Sequence, residues 1–243
     1  MKIDVCFSPA LYPVYHNPES IVVVVDVFRA TTTIASAFSN GVHSIRPVAT
    51  VEEAQDYQSK GWLVGAERNT SRCEFADFGN SPFDYTSEKV SGKDIIFTTT
   101  NGTRSITISK EAFHVITGAF INLQAVADYC LHYKRDVVVL CSGWKDKINI
   151  EDTFFGGALT EILIQTGFYT VGSDAAIIAH EIWKNHCSDP QTYMELTDHM
   201  VRLRANHLEG CVPYCLAPST TDVVPELKIE NDILVLYKAK LNE

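Results

Sequence analysis

Residues Ile21-Val22-Val23-Val24-Val25 constrain the fold more than any other stretch: five β-branched apolar residues in a row, closed abruptly by Asp26. A run without polar alternation reads as a strand covered on both faces. Directly behind it come Arg29, Ala30 and three threonines. Ile34, Ala35, Ala37 and Phe38 then follow at helical spacing, closed by Asn40-Gly41. A buried strand whose carboxyl end carries Asp26 and Arg29 just before a helix puts both where open α/β sheets keep their ligand sites. The alternative is that Asp26 caps the helix and Arg29 lies on its surface.

The alternation of strand and helix continues to residue 145. Strands are expected at 3–7, 44–48, 62–66, 94–98, 113–117 and 136–140. Helices are expected at 51–59 and 123–133, the first with Thr50 as N-cap and Glu53 at the capping-box position. From Ile150 the texture turns helical, with segments at 151–165, 173–185 and 190–209, and the chain finishes in a strand at 233–237. This predicts an α/β fold: three-layer α/β/α, a mixed, largely parallel sheet, a helical C-terminal part and a final edge strand. One domain over 1–243 is expected, or two intimately packed lobes at about 1–145 and 146–243, because no Gly-, Ser- or Pro-rich linker intervenes. Residues 69–93 lack apolar periodicity. A loop that long is usually functional, and Phe75, Phe78, Phe83 and Tyr85 argue that it packs.

With 46% hydrophobic residues and a formal net charge of -10, the chain is globular and has no overall basic surface for nucleic acid. An anionic ligand must therefore be held by a local cluster of Arg, Lys and backbone N–H groups. Seven cysteines without a Cys-x-x-Cys pair, no signal-peptide pattern and no apolar run of membrane-spanning length predict a reduced, cytoplasmic protein.

Four expected strand ends carry polar groups: Asp26 with Arg29, Glu67 with Arg68, the segment Thr99 to Arg104, and Ser142 with Lys145. A parallel or mixed sheet is expected to bring such ends to one edge. Around Thr100, Asn101, Gly102 and Thr103, successive N–H groups at a helix start favour an oxyanion, and Arg104 can add a charge-assisted fork. The alternative is a helix capped by Thr100 with Arg104 solvated. Glu151 and Asp152 open the next helix behind Asn149; a carboxylate pair suits Mg²⁺, and it equally suits the helix dipole. Several familiar motifs are absent. There is no Walker loop, Phe28 breaks an Asp-x-Asp pattern, and Lys147 stands where a cysteine phosphatase needs Arg. Lys184 replaces the second histidine of a zincin after His180-Glu181, and Pro213 interrupts any shared face of His207, Cys211 and Cys215.

Taken in order, Asp26 to Thr33, Gly65-Ala66-Glu67-Arg68, Gly79-Asn80-Ser81-Pro82, Thr99 to Arg104, and Cys141-Ser142-Gly143 followed by Glu151-Asp152 resemble the 2-phosphosulfolactate phosphatase family. The resemblance spans most of the chain. It implies an α/β fold of the family's own and a Mg²⁺-dependent hydrolase converting 2-phospho-3-sulfolactate to 3-sulfolactate, a step that serves coenzyme M synthesis in methanogens. On this resemblance Asp26, Arg29, Asn101 and Arg104 are expected to be catalytic. Thr31, Thr32, Arg68, Thr100, Gly102, Thr103, Ser142 and Lys145 are expected to bind substrate, and Asp26, Glu67, Glu151 and Asp152 to hold the metal. Asp26 as a nucleophile forming an aspartyl-phosphate stays open. The expected partner is a small anionic phosphorylated substrate, with no nucleic acid or membrane; a homodimer stays open. Two other functions remain: a phosphomonoesterase acting on another phospho-hydroxy acid, and a non-catalytic binder of anionic metabolites. Two positions depart from the pattern. Phe28 replaces an aliphatic residue, with an effect expected on packing, and Trp144 stands where a charged residue is expected. Asp26, Glu67 and Arg104 are expected around one cleft.

Overall fold

The computed structural model describes residues 1–240, so the end of the expected 1–243 domain lies outside the described residues. Eleven strands form one sheet: β1 Lys2–Cys6, β2 Ile21–Val25, β3 Ser44–Pro47, β4 Leu63–Arg68, β5 Ser71–Arg72, β6 Asp94–Thr98, β7 His114–Gly118, β8 Val137–Cys141, β9 Thr170–Val171, β10 Pro225–Glu230 and β11 Ile233–Lys238. Their order is β5-β4-β6-β3-β11-β10-β7-β2-β8-β1-β9. Helices cover both faces, and the sheet is mixed and mostly parallel, as the sequence predicts. It takes β9, β10 and β11 from the chain after residue 146, so both expected segments contribute to it. No helix among the described residues is long and apolar enough to cross a membrane.

The five residues of β2 are all fully buried, because β2 lies between β7 and β8 and both its faces are covered. Val23 and Val25 join a core with Phe154, Phe155 and Leu159 of the Ile150–Gln165 helix. Val22 and Val24 face a second core containing Ile34 and Phe38 of the Ala30–Ser39 helix. Ile45, Ile95 and Phe97, from β3 and β6, share that second core.

This shared core changes how the strand ends meet. β7, β2, β8 and β1 are mutually parallel, as are β3, β6 and β4. The β10–β11 hairpin connects the two groups antiparallel on both sides, through the single registered pairs Glu226–Ile116 and Leu236–Ile45. Followed through that ladder, the two groups run in opposite senses. The expectation that their polar ends share one sheet edge is therefore not met; they come together as both groups pack on the Ala30–Ser39 helix. The final strand borders β10 along six residue pairs. It is an edge of the β1-β2-β7-β8-β10 part, and inside the whole sheet it is covered by β3.

Local differences have local causes. The expected 190–209 helix is broken into Pro190–Met194, Asp198–Ala205 and Glu209–Cys211, with Asp189 and Thr197 capping new starts. Thr50 caps the Val51–Ser59 helix as expected, but Glu53 accepts from the Ala49 N–H, one residue before the cap. In the 69–93 segment Phe78 and Tyr85 are buried and Phe75 is half-buried, whereas Phe83 is 55% exposed.

Candidate active site

Asp26 closes β2 and begins a tight turn. Its N–H donates to Thr31 Oγ1 at 3.0 Å, and the Thr31 N–H returns to the Asp26 carbonyl at 3.0 Å. Thr32 Oγ1 donates to the Val27 carbonyl and Thr33 Oγ1 to the Asn80 carbonyl. Thr31 and Thr32 are thus buried and bonded to main chain; they shape the turn rather than reach a ligand. Arg29 is 4% exposed and donates to the Thr70 carbonyl at 3.0 Å, so it is no surface residue. Burial pushes the Asp26 carboxyl up to about 6; His199 pulls it back, and the Glu67 carboxylate adds to the rise.

Glu67 comes from β4, in the other parallel group. Its Oε1 accepts from the Thr70 N–H at 2.5 Å and from Thr100 Oγ1 at 3.3 Å. Asp26, Arg29, Glu67, Thr70, Asn80, Thr100, Asn101, Phe28, Trp144 and His199 line one pocket of ≈ 20 Å³. Gly102 stands where the two groups touch. A Cβ there would come within 2.8 Å of Ala30 Cβ and 3.1 Å of Asp26 Oδ2. The missing side chain at Gly102 lets the Asp26 turn approach.

Other expected site residues stand elsewhere. Arg104 pairs with Asp146 at 2.8 Å, half-exposed and outside the pocket lining, so Asp26 and Glu67 share a pocket that Arg104 does not line. Arg68 donates to the Glu67 carbonyl at 2.6 Å and to Thr98 Oγ1 at 2.9 Å. Thr103 Oγ1 bonds the Thr99 carbonyl at 3.2 Å, and Asn101, not Thr100, holds the N-cap position. The exposed Lys145 lies with Nζ 5.6 Å from the Trp144 ring. The Ser142 N–H donates to Asp152, while its hydroxyl oxygen is buried without a partner.

Glu151 and Asp152 are both buried and differ in use. Asp152 accepts from the Val27 N–H at 2.8 Å through Oδ1, and from the Ser142 and Gly143 N–H groups at 3.1 Å through Oδ2. Both oxygens accept from main chain and tie the end of β2 to the end of β8, and Asp152 stands outside the pocket lining. Glu151 Oε1 meets His199 Nδ1 at 2.5 Å and Asn149 Nδ2 at 2.9 Å. Burial raises the Glu151 pKa, but the charge and hydrogen bond of His199 outweigh it and hold it below the usual carboxylate range. Its Oε2 is buried without a partner. Of the four expected carboxylates, Asp26 and Glu67 line one pocket, and Glu151 is engaged with His199 beside them.

Sequence reasoning missed His199. It sits in the Asp198–Ala205 helix, whose start is marked by Thr197 Oγ1 accepting from the Met200 N–H at 3.1 Å. That Thr-Asp start was the available signal. Phe28, expected to affect packing, packs edge-on against the His199 ring at 5.7 Å between centroids, so its packing orients a pocket residue. Asn80, inside a quoted motif, and Thr70 line the pocket too.

The donors present fit Mg²⁺. Among the described residues no group of three or more His, Cys, Asp or Glu side chains is placed to hold a metal ion by itself. Mg²⁺ is held by one or two carboxylates with waters and substrate phosphate completing its shell. Asp26 and Glu67 supply two, their mutual repulsion calls for a cation, and ≈ 20 Å³ admits an ion or a water.

Comparisons with known proteins bear on the family of the chain. The chain is 35% identical over 243 residues to a probable 2-phosphosulfolactate phosphatase of Carboxydothermus hydrogenoformans, covering 99% of both chains. It is 32% identical to one of Clostridium beijerinckii, covering 94% of this chain and 97% of the other. It is 36% identical to one of Caldanaerobacter subterraneus subsp. tengcongensis, covering 86% and 88%. The family model for 2-phosphosulpholactate phosphatase matches residues 6–230. The chain therefore belongs to the 2-phosphosulpholactate phosphatase family, a family of phosphoric monoester hydrolases.

Proposed function

We propose that this protein is a Mg²⁺-dependent phosphatase that hydrolyses 2-phospho-3-sulfolactate to 3-sulfolactate and phosphate. The observation that carries the reading is that Asp26 and Glu67 line one small pocket, which Arg29 also lines. Asp26 and Glu67 would hold the metal, which supplies charge neutralisation of the phosphoryl oxygens and a more acidic water.

The remaining work falls to the chain's own groups. Arg29, anchored on the Thr70 carbonyl, presents its guanidinium to phosphoryl oxygens. Thr100 and Asn101 add polar donors from the second sheet group. Water attacks phosphorus, the ester P–O bond breaks, and the departing alkoxide takes a proton. His199 is placed to give that proton: Glu151 fixes Nδ1, leaving Nε2 for the pocket. Phosphate release from a panel of phospho-hydroxy acids, before and after exhaustive chelation, tests the reading. Release from 2-phospho-3-sulfolactate that needs Mg²⁺ supports it; release from none of the panel overturns it.

A further inference from the structure

The ≈ 20 Å³ pocket accommodates an ion or one oxygen, not a whole organic phosphate. The rest of any substrate must lie in a space continuous with it. A second cavity of ≈ 320 Å³, within the usual size of a small-molecule site, shares Trp144 and His199 with the first. It opens between the 144–151 segment and the Asp198–Ala205 helix.

We propose that this second cavity binds the acidic, non-phosphorylated end of the substrate, a carboxylate or sulfonate, and that Arg202 is its charge partner. The inference rests on the phosphatase reading above for the identity of the ligand. Arg202 lies one turn beyond His199 on the same helix, so a ligand reaching from His199 passes it. Its guanidinium stacks over the Trp144 ring at 4.4 Å, which fixes the plane of its donors. Its Nε is buried without a hydrogen-bond partner, and among the described residues no carboxylate lies within ion-pair distance of it. Two of the cations expected from sequence to hold the anionic substrate are engaged elsewhere: Arg104 with Asp146, and Arg68 with main chain and Thr98. Lys147, on the same cavity wall, adds a second positive charge. Trp144, the departure from the family pattern, is on this reading the platform that holds Arg202.

Isothermal titration of wild type, R202M and R202K with 3-sulfolactate and, separately, with inorganic phosphate tests this. Both titrations are run in Mg²⁺. R202M is expected to bind 3-sulfolactate at least about tenfold more weakly, with phosphate affinity unchanged, since phosphate oxygens are met by Arg29 and the metal at the mouth of the first pocket and not by Arg202. R202K should recover part of the loss, because a point charge does not reproduce the planar fork. In turnover of 2-phospho-3-sulfolactate, KM should rise more than kcat falls. Three results would overturn the proposal: wild type that does not bind 3-sulfolactate, equal 3-sulfolactate affinity in wild type and R202M, or equal weakening of both ligands. If R202M fails to melt cooperatively, R202K decides by the same two isotherms. Absence of phosphate release by wild type counts against the phosphatase reading, and the 3-sulfolactate isotherms still judge the cavity.

Discussion

Glu151 and His199, 48 residues apart in sequence, meet at 2.5 Å where the two cavities adjoin. A buried carboxylate is costly alone, and this one is kept ionised by the imidazole and by Asn149. In return it fixes the ring, with Phe28 packed edge-on to it.

Glu151→Gln keeps the shape of this contact and removes its charge. We expect kcat on 2-phospho-3-sulfolactate to fall by about 10–10²-fold, the scale of impaired proton transfer. p-Nitrophenyl phosphate, whose leaving group needs no proton, should be affected far less. Steady-state kinetics on both esters checks this, and equal losses would mean that Glu151 supports the fold rather than the proton donor.

Asp26→Asn should lower kcat by about 10²-fold or more, the scale of losing a main electrostatic contribution. It should not destabilise the metal-free protein by more than about 1 kcal/mol, the scale of one hydrogen bond, because it also relieves burial of a charge beside Glu67. Thermal melts with and without Mg²⁺ separate the roles: the cation should raise the wild-type Tm and leave that of the variant unchanged. A folded variant with near-normal kcat would make Asp26 structural.

Glu226 joins β10 to β7, meeting His114 at 2.7 Å and Lys228 at 2.5 Å. Burial raises its pKa, but the hydrogen bonds from His114 and Lys228 outweigh that and leave it below the ordinary 4.5. A depressed carboxylate stabilises the fold above its unfolded pKa, and that stability is lost as pH falls through the folded value. Wild type should therefore melt about 2–4 °C above Glu226→Gln near neutrality, for ~1 kcal/mol in a domain of this size. The gap should narrow as pH falls below the ordinary 4.5 and through the depressed folded value. A gap independent of pH would mean that the ion pair is not its source.

The parts of this molecule that were legible in the sequence are those decided locally. The unbroken run of β2, the periodicity of Leu123–Tyr133 and the cap of Val51–Ser59 each carry their own signal. Asp26 and Glu67 were legible as strand-end carboxylates. The convergence of their strands was not, because it depends on two parallel groups folding over one helix through single registered pairs. Nothing in the sequence signalled the partners of Arg104 and Asp152, an ion pair with Asp146 and three backbone N–H groups. His199 and Arg202 were hidden in a segment expected to be one long helix, and their roles come from what packs on them.

Phosphate release from 2-phospho-3-sulfolactate, measured after exhaustive chelation and again after adding Mg²⁺, tests the central claim most directly. The account predicts no turnover in the chelated protein and restored turnover with the cation. Undiminished release after chelation would contradict the metal's place between Asp26 and Glu67, and no release under either condition would contradict the phosphatase itself.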